Sequence, residues 1–368
     1  MAHPQFDRDL LLIRPLAERE DRVVMEKAGA DIPAGHKLAG EALHLVAETA
    51  DRIVAARKKG RAVIMAFGAH AIKNGLGPVL IKLMEEGWVT HLATNGAGII
   101  HDWELACRGR TSEHVKQNVE QGTFGMWRET GLYLNLALAV GAYEELGYGE
   151  SIGRMILNDG LTIPSIKRLR QEVVDKLAES PDDSAAAADL LDAVQQLELA
   201  AGRMEIPHKF KRNSVQAAAC RLNVPFTGHP MIGQDIIYLH PACQGGAVGR
   251  TGLRDFLAFA HSVQLLDGGG VYLSVGSAVM SPMIFEKAMA MCQNLLVQKG
   301  RRMTDHYIAV VDLVPPPAAW KAGDEPAEGD ASYYVRFHKT FNRMGGTLRY
   351  ARADNRDFIP ALYRELQV

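Results

Sequence analysis

Apolar residues recur at helical spacing from Glu41 to Lys59 (EALHLVAETADRIVAARKK), and the stretch ends in a basic turn before Gly60, the pattern of a helix with its stop. Ala62 to Phe67 (AVIMAF) follows as a short unbroken apolar run, as a strand buried on both faces requires. The glycine-containing segment Gly68–Gly77 leads into a helical pattern, VLIKLMEEG. Trp88 to Thr94 (WVTHLAT) reads as the next strand and Asn95 to Gly98 (NGAG) as a turn after it. Strand, glycine turn and helix in repetition predict right-handed βαβ units around a parallel sheet.

The middle of the chain is helical. Phe124 to Leu146 carries a long apolar pattern, and Ser184 to Arg203 is an Ala/Leu-rich amphipathic stretch with PDDS at its start as the N-cap. The strand–helix rhythm returns with strand Val224–Thr227, a helix around Leu253–Leu265, strand Val271–Val275, a helix Pro282–Gln298 and strand His306–Val311. Pro315–Pro317 then open a polar loop to about Asp330, before a last strand Thr347–Ala351 and a closing helix Phe358–Leu366. The predicted class is α/β, a Rossmann-like, doubly wound, mostly parallel sheet with a helical insertion. Residues 1–39 read as an N-terminal extension, and 40–368 as one domain whose insertion covers about 111–222. A division into two lobes near residue 205 is the alternative.

Composition narrows the class. Hydrophobic residues make up 47% of the 368 and charged residues 23%, so disorder is not expected. The net charge of −2 advertises no basic nucleic-acid face, and no apolar run is long enough for a membrane span. Leu10–Ile13 is too short for a secretory h-region. Cys107, Cys220, Cys243 and Cys292 are scattered and form no C-x-x-C, which fits a reducing, cytoplasmic compartment.

Candidate chemistry gathers after the strands. Gly68–Gly77, Thr94–Gly98 (TNGAG) and Val275–Ala278 (VGSA) are small-residue turns where backbone can approach a phosphate or ribose, although none is G-x-G-x-x-G. His70, His91, His101, His229 and His240 sit close to them; His101-Asp102 directly follows TNGAG, and His229 and Asp235 occupy the loop after strand 224–227. Neutral imidazoles and carboxylates there are candidates for proton transfer near neutral pH. No H-E-x-x-H or other compact ligand spacing points to a metal. Tyr333-Tyr-Val-Arg-Phe-His-Lys339 places Arg336 and Lys339 after the proline loop, as a closing lid or as an ordinary amphipathic segment. His208-Lys-Phe-Lys-Arg212 reads as a solvated basic face.

Four blocks in order, Phe67–Gly75, TNGAGIIHDWELA, VPFTGHPMIGQDIIYLH and VYLSVGSAVMSPMIFEKAMAM, resemble successive blocks of the deoxyhypusine synthase family over about residues 60–312. The resemblance implies a Rossmann-like fold, NAD at the sheet edge, a homotetramer and oxidation of a polyamine. It further implies transfer of an aminobutyl group to an acceptor amine through a lysine imine. By that resemblance Asn95, Gly96, Ala97 and Gly98 match the NAD-contacting T-A-G-G, with Asp102 retained and Ile100 and His101 in place of acidic residues. His70, Lys73 and Asn74 fall near the nucleotide, Gly276 and Ser277 match the G-G-G turn, and Asp235 matches a polyamine-holding carboxylate. Another aspartate of that block falls on Pro230, and a histidine pair on Ser281 and Pro282. The segment carrying the imine-forming lysine has no clean counterpart; Arg336 or Lys339 falls there, and only lysine can form an imine. The resulting expectation is an NAD-dependent transferase acting on a polyamine or related amine, with Lys339, His101, His229 and Asp235 as catalytic residues. A different NAD- or metal-assisted reaction using the histidines, and a catalytically silent ligand-binding protein, are the alternatives.

Overall fold

Val63, Met65 and Phe67 point to one side of their strand and Ile64 and Ala66 to the other, and all five are fully buried. A strand can be apolar at every position only where both faces of its sheet are covered. The computed structural model, which describes residues 3–25, 38–315, 325–330, 333 and 335–368, shows that arrangement. Six parallel strands, β1 (Val63–Phe67), β2 (His91–Asn95), β3 (Phe226–His229), β4 (Val271–Val275), β5 (Tyr307–Asp312) and β6 (Thr347–Arg352), lie in the spatial order β6-β5-β4-β1-β2-β3. This is the doubly wound Rossmann order, with its switch point between β1 and β4. The expected fold class is borne out.

The helices in chain order are α1 (Glu41–Lys58), α2 (Ala69–Lys73), α3 (Gly77–Glu85), α4 (Gly96–Arg108), α5 (Val115–Glu120), α6 (Arg128–Tyr143), α7 (Tyr148–Leu157), α8 (Ile166–Lys176), α9 (Pro181–Gln196), α10 (Val215–Leu222), α11 (Gly245–Gln264), α12 (Met280–Val297), α13 (Arg336–Asn342) and α14 (Asn355–Glu365). Val63, Met65, Phe67, Leu92 and Phe226 share one core with residues of α1, α3, α4, α7 and α14. Ile64, Ala66, Ala93, Tyr272 and Ile308 share the other with Phe259 of α11, Phe285 of α12 and Phe337 and Phe341 of α13. Helices α4 to α10 intervene between β2 and β3, with an antiparallel ladder pairing Gly160–Ile163 to Gly202–Glu205. Among the described residues no helix is long and apolar enough to cross a membrane.

Two expected boundaries shift with consequences. The NGAG segment is the first turn of α4, because the Asn95 side chain accepts a bond from the Gly98 N–H (3.0 Å) and starts the helix. His229 is the last residue of β3, not a loop residue. The N-terminal segment is also woven into the body: Val23–Val24 pair antiparallel with Arg110–Thr111, and the Arg8 guanidinium donates to the carbonyls of Tyr238, His240 and Cys243.

Candidate functional site

The carboxyl ends of β1, β2 and β3 all open toward one edge, the side on which a doubly wound sheet holds its ligands. There α2 and α4 begin, the loop after β3 brings Asp235 down onto Gly96, and residues 19–23 cross over the top. The cleft there has a volume of about 460 Å³, within the range of small-molecule sites. Its titratable lining comprises Arg19, Arg22, Lys73, His101, Glu104, Glu113 and Asp235; Val23, Ile100, Phe124 and Ile236 supply apolar wall. Gly96 is required there, since a Cβ on it would collide with the Asp235 carboxylate.

Arg19 and Glu104 form the fixed roof. The guanidinium donates to both Glu104 oxygens (2.6 and 2.8 Å) and to Asp21 (2.8 Å). Glu104 also accepts from Thr111 Oγ1 (2.6 Å) and Thr130 Oγ1 (3.0 Å). Burial pushes the Glu104 carboxyl up, but the Arg19 fork outweighs it and holds the group below its ordinary value. Glu104 is therefore ionised and accepts only. The single Thr111 proton goes to it, so the 2.7 Å contact between Thr111 Oγ1 and His101 Nδ1 has the imidazole donating. Burial pushes His101 down to about 4, keeping the ring neutral at physiological pH. Its Nε2 then carries a lone pair and has no hydrogen-bond partner among the described residues. Thr111→Val is expected to release that tautomer. In the wild type, nitrogen NMR should show His101 with its proton on Nδ1; the variant should show a mixture, and unchanged spectra would contradict the relay.

Asp235 is another sequence-derived candidate on the cavity wall. Its Oδ2 is buried with no hydrogen-bond partner among the described residues, and burial lifts the carboxyl to about 6. Glu113 differs: it is fully engaged by Asn118 (2.5 Å), the Gly125 N–H (3.2 Å) and the Trp127 indole (3.0 Å). Lys73 makes no hydrogen bond or ion pair among the described residues, and burial, with a smaller contribution from Arg22, pushes its ammonium below the ordinary lysine value.

The sequence-derived candidates thus divide. Lys73, Ala97, His101 and Asp235 meet at the cavity. His229 does not: it lies under α11 on the opposite face of the sheet, edge-on to Phe259 (5.3 Å between ring centres). Its Nε2 is 2.9 Å from Thr227 Oγ1, which is itself 2.9 Å from His91, and burial pushes His229 down to about 3. Lys339 is also on that face, on α13, with its ammonium 3.6 Å from the centre of the Tyr333 ring. Asp102 is a buried cap for α10, accepting from Ser214, Val215 and Gln216. Asn95 caps α4, and Gly98 packs against Thr94. Pro316 and Pro317 lie outside the described residues. Arg19, Arg22, Glu104 and Thr111 were not singled out by sequence, because nothing in the local pattern shows that the leader and the Arg110–Thr111 strand fold over α4.

The switch point has its own chemistry. Gly68, after β1, approaches the Gly276 carbonyl so closely that any side chain at 68 would collide with it, and Gly276 takes the left-handed φ of 58°. Around these bare turns, Asn74 donates to Asn355 (2.9 Å), His70 feels the charge of Asp354, and Ser277 Oγ accepts from the Ser281 N–H (3.2 Å). Small neutral hydrogen-bonding groups beside exposed backbone suit the ribose and phosphate parts of a dinucleotide. The end of β2 departs from that pattern, since Asn95 stands where a ribose-binding carboxylate is usual. The residues present fit the group on balance.

No family model and no curated protein matches the sequence. Among solved structures, the chain is similar to a putative LOR/SDH protein from Methanococcus maripaludis S2 (13% identity, 92% of this chain and 73% of that one, TM-score 0.43). It is also similar to ArgZ, an arginine dihydrolase of the cyanobacterial ornithine–ammonia cycle (14%, 90% and 33%, 0.40), and to AgrE in complex with ornithine and NAD+ (14%, 90% and 34%, 0.41). The chain spans about a third of the length of the ArgZ and AgrE structures. What those proteins bind is a property of those proteins. None of the three is a deoxyhypusine synthase, so that resemblance rests on the sequence blocks alone.

Proposed function

We propose that this chain is an NAD-dependent enzyme acting on a small amine, with the amine in the cavity and NAD along the switch point. The observation that carries the proposal is the mostly buried Asp235 carboxyl, which has no ion-pair partner among the described residues and lines a cavity shared with a neutral imidazole. A carboxylate left so is costly unless a cation completes it, and an ammonium group supplies the cation. His70, Asn74, Ser277 and Asn355, with the bare Gly68 and Gly276 turns, would hold NAD, which supplies a hydride acceptor when bound. An ammonium must shed a proton before the carbon beside it can yield hydride, since the nitrogen lone pair stabilises the iminium product. His101 Nε2, held open by the Thr111–Glu104 relay, takes that proton.

Transfer of an aminobutyl group through a lysine imine needs an amine nucleophile beside the substrate. Lys339 stacks on Tyr333 on the opposite face of the sheet, so the proposal stops at amine oxidation or deprotonation. A homotetramer belongs to the proposal, supported by the exposed apolar side chains Leu257 on α11 and Met291 and Leu295 on α12. Native mass spectrometry reads that assembly directly.

The test is NADH fluorescence when NAD+ and a panel of small amines are added to wild type, His101→Gln and Lys339→Ala. Wild type and Lys339→Ala are expected to form NADH at similar rates, with His101→Gln slower by roughly a hundredfold or more. A rate that collapses only in Lys339→Ala would contradict the proposal.

A further inference from the structure

We propose that Arg8 and Asn135 are positioning residues for the amine site: between them they fix the turn that carries Asp235. The inference rests on the amine reading above and names what holds its carboxylate in place. Asp235 opens a single tight helical turn, Ile236–Leu239, and its carbonyl accepts from the Tyr238 N–H (3.3 Å). Before it, the chain leaves β3 through a loop in which Ile232 is 76% exposed and Gly233 takes a left-handed φ of 90°. An exposed loop with few packed neighbours is the weakest kind of support for a functional side chain. The turn after Asp235 is the stronger support, because its own position is fixed.

Two side chains fix it. From inside, the buried Asn135 of α6 donates to the Ile237 carbonyl (2.9 Å) and to the Gly131 carbonyl (2.8 Å), which joins the middle of the turn to that helix. At the other end, the Arg8 guanidinium donates to the carbonyls of Tyr238, His240 and Cys243, each at 3.1 Å. The last carbonyls of a helical turn have no partner within it, and a planar guanidinium satisfies several at once. Arg8 thus closes the end of the turn opposite Asp235. The inner side is already tight: a Cβ on Gly125 would collide with Ile236 and Leu239, and one on Gly131 with His240. Inward movement is blocked, so the freedom left to the turn is outward, and the Arg8 bonds oppose it.

Arg8 supplies these bonds and no apolar packing. The short turn Arg8–Leu10 contains no buried residue, and Phe6, Leu10 and Leu12 are exposed. Removing the guanidinium therefore leaves both hydrophobic cores intact and frees the Asp235 turn. The hydrogen bonds of Asn74, Asn355 and Ser277 at the switch point involve none of these groups. A freed Asp235 gains water and no longer presents a fixed anion to an ammonium group.

The test uses wild type, Arg8→Met, Arg8→Lys and, as a control on an exposed neighbour, Leu12→Ser. Calorimetric titrations with n-butylamine, putrescine and L-ornithine should show the tightest of these ligands bound roughly tenfold more weakly by Arg8→Met. Arg8→Lys, a point donor in place of a fork, should fall between, and Leu12→Ser should match wild type. Carboxyl-carbon NMR reads Asp235 itself, and a merely structural role for Arg8 would leave that reading unmoved. Its titration midpoint, about 6 in wild type, is expected to fall by roughly one unit toward the ordinary 3.8 in Arg8→Met. An unmoved midpoint would overturn the positioning role whatever the titrations show. A lowered midpoint with unchanged amine affinity would overturn its link to the amine site. If wild type binds none of the three amines, the amine reading fails, and the midpoint still decides whether Arg8 holds Asp235.

Discussion

Asp235→Asn is expected to make the protein more stable at about pH 8 and to weaken amine binding. Burial raises this carboxyl from 3.8 to about 6, so the folded state holds its proton more tightly than the unfolded chain does. For a raised carboxyl, the unfolded chain ionises first as pH rises. Stability is therefore lost between about pH 4 and pH 6, and the full cost is present above that window. Two units correspond to about 3 kcal/mol, and the residue's partial exposure reduces this to about 1–2 kcal/mol. Asparagine removes the cost, so denaturant titrations should show a gain of that size at about pH 8 and almost none at about pH 4. The same substitution removes the negative charge opposite the ammonium, weakening an amine ligand by roughly a hundredfold. An Asp235→Asn protein that is less stable at both pH values would show instead that the carboxylate braces the fold.

Arg19→Met carries the largest expected loss of stability. It strips Glu104 of its bidentate partner inside the protein, where Glu104 is 1% exposed, and leaves a buried charge held by two hydroxyls. Breaking a buried pair from one side costs about 3–5 kcal/mol. Pairing it with Glu104→Gln should recover much of the loss, because the uncompensated charge disappears. The double variant would nonetheless lose the His101 tautomer, since Thr111 no longer faces an obligate acceptor. Denaturation of the two single variants and the double variant measures the coupling. A loss under about 1 kcal/mol for Arg19→Met would mean that water reaches Glu104 and that the roof is open.

The sheet was legible in the sequence because its strands are buried on both faces: AVIMAF and VYLSV are apolar at nearly every position, and glycine follows each. The helices of the insertion were half legible. The apolar pattern marks α6 and α9, but α7 and the ladder of Gly160–Ile163 with Gly202–Glu205 follow from tertiary pairing that local spacing does not encode. Among site residues, His101 and Asp235 could be found because they follow strands of a parallel sheet. His229 was placed with them because strand 224–227 was expected to end two residues early; with the strand running to 229, alternation sends its side chain beneath α11. Lys339 was reached through the resemblance alone, and α13 packs on the side of the sheet away from the cavity. Arg19, Arg22 and Thr111 lie in stretches without periodicity, and only the pairing of Val23–Val24 with Arg110–Thr111 makes them a roof.

The central claim is that the switch point receives NAD beside a cavity for an amine. Its most direct test is calorimetric titration of the wild-type protein with NAD+. Saturable binding with one NAD per chain, strengthened when an amine ligand of the cavity is present, is the predicted result. Titration heats no larger than dilution, with and without amine, would contradict the account.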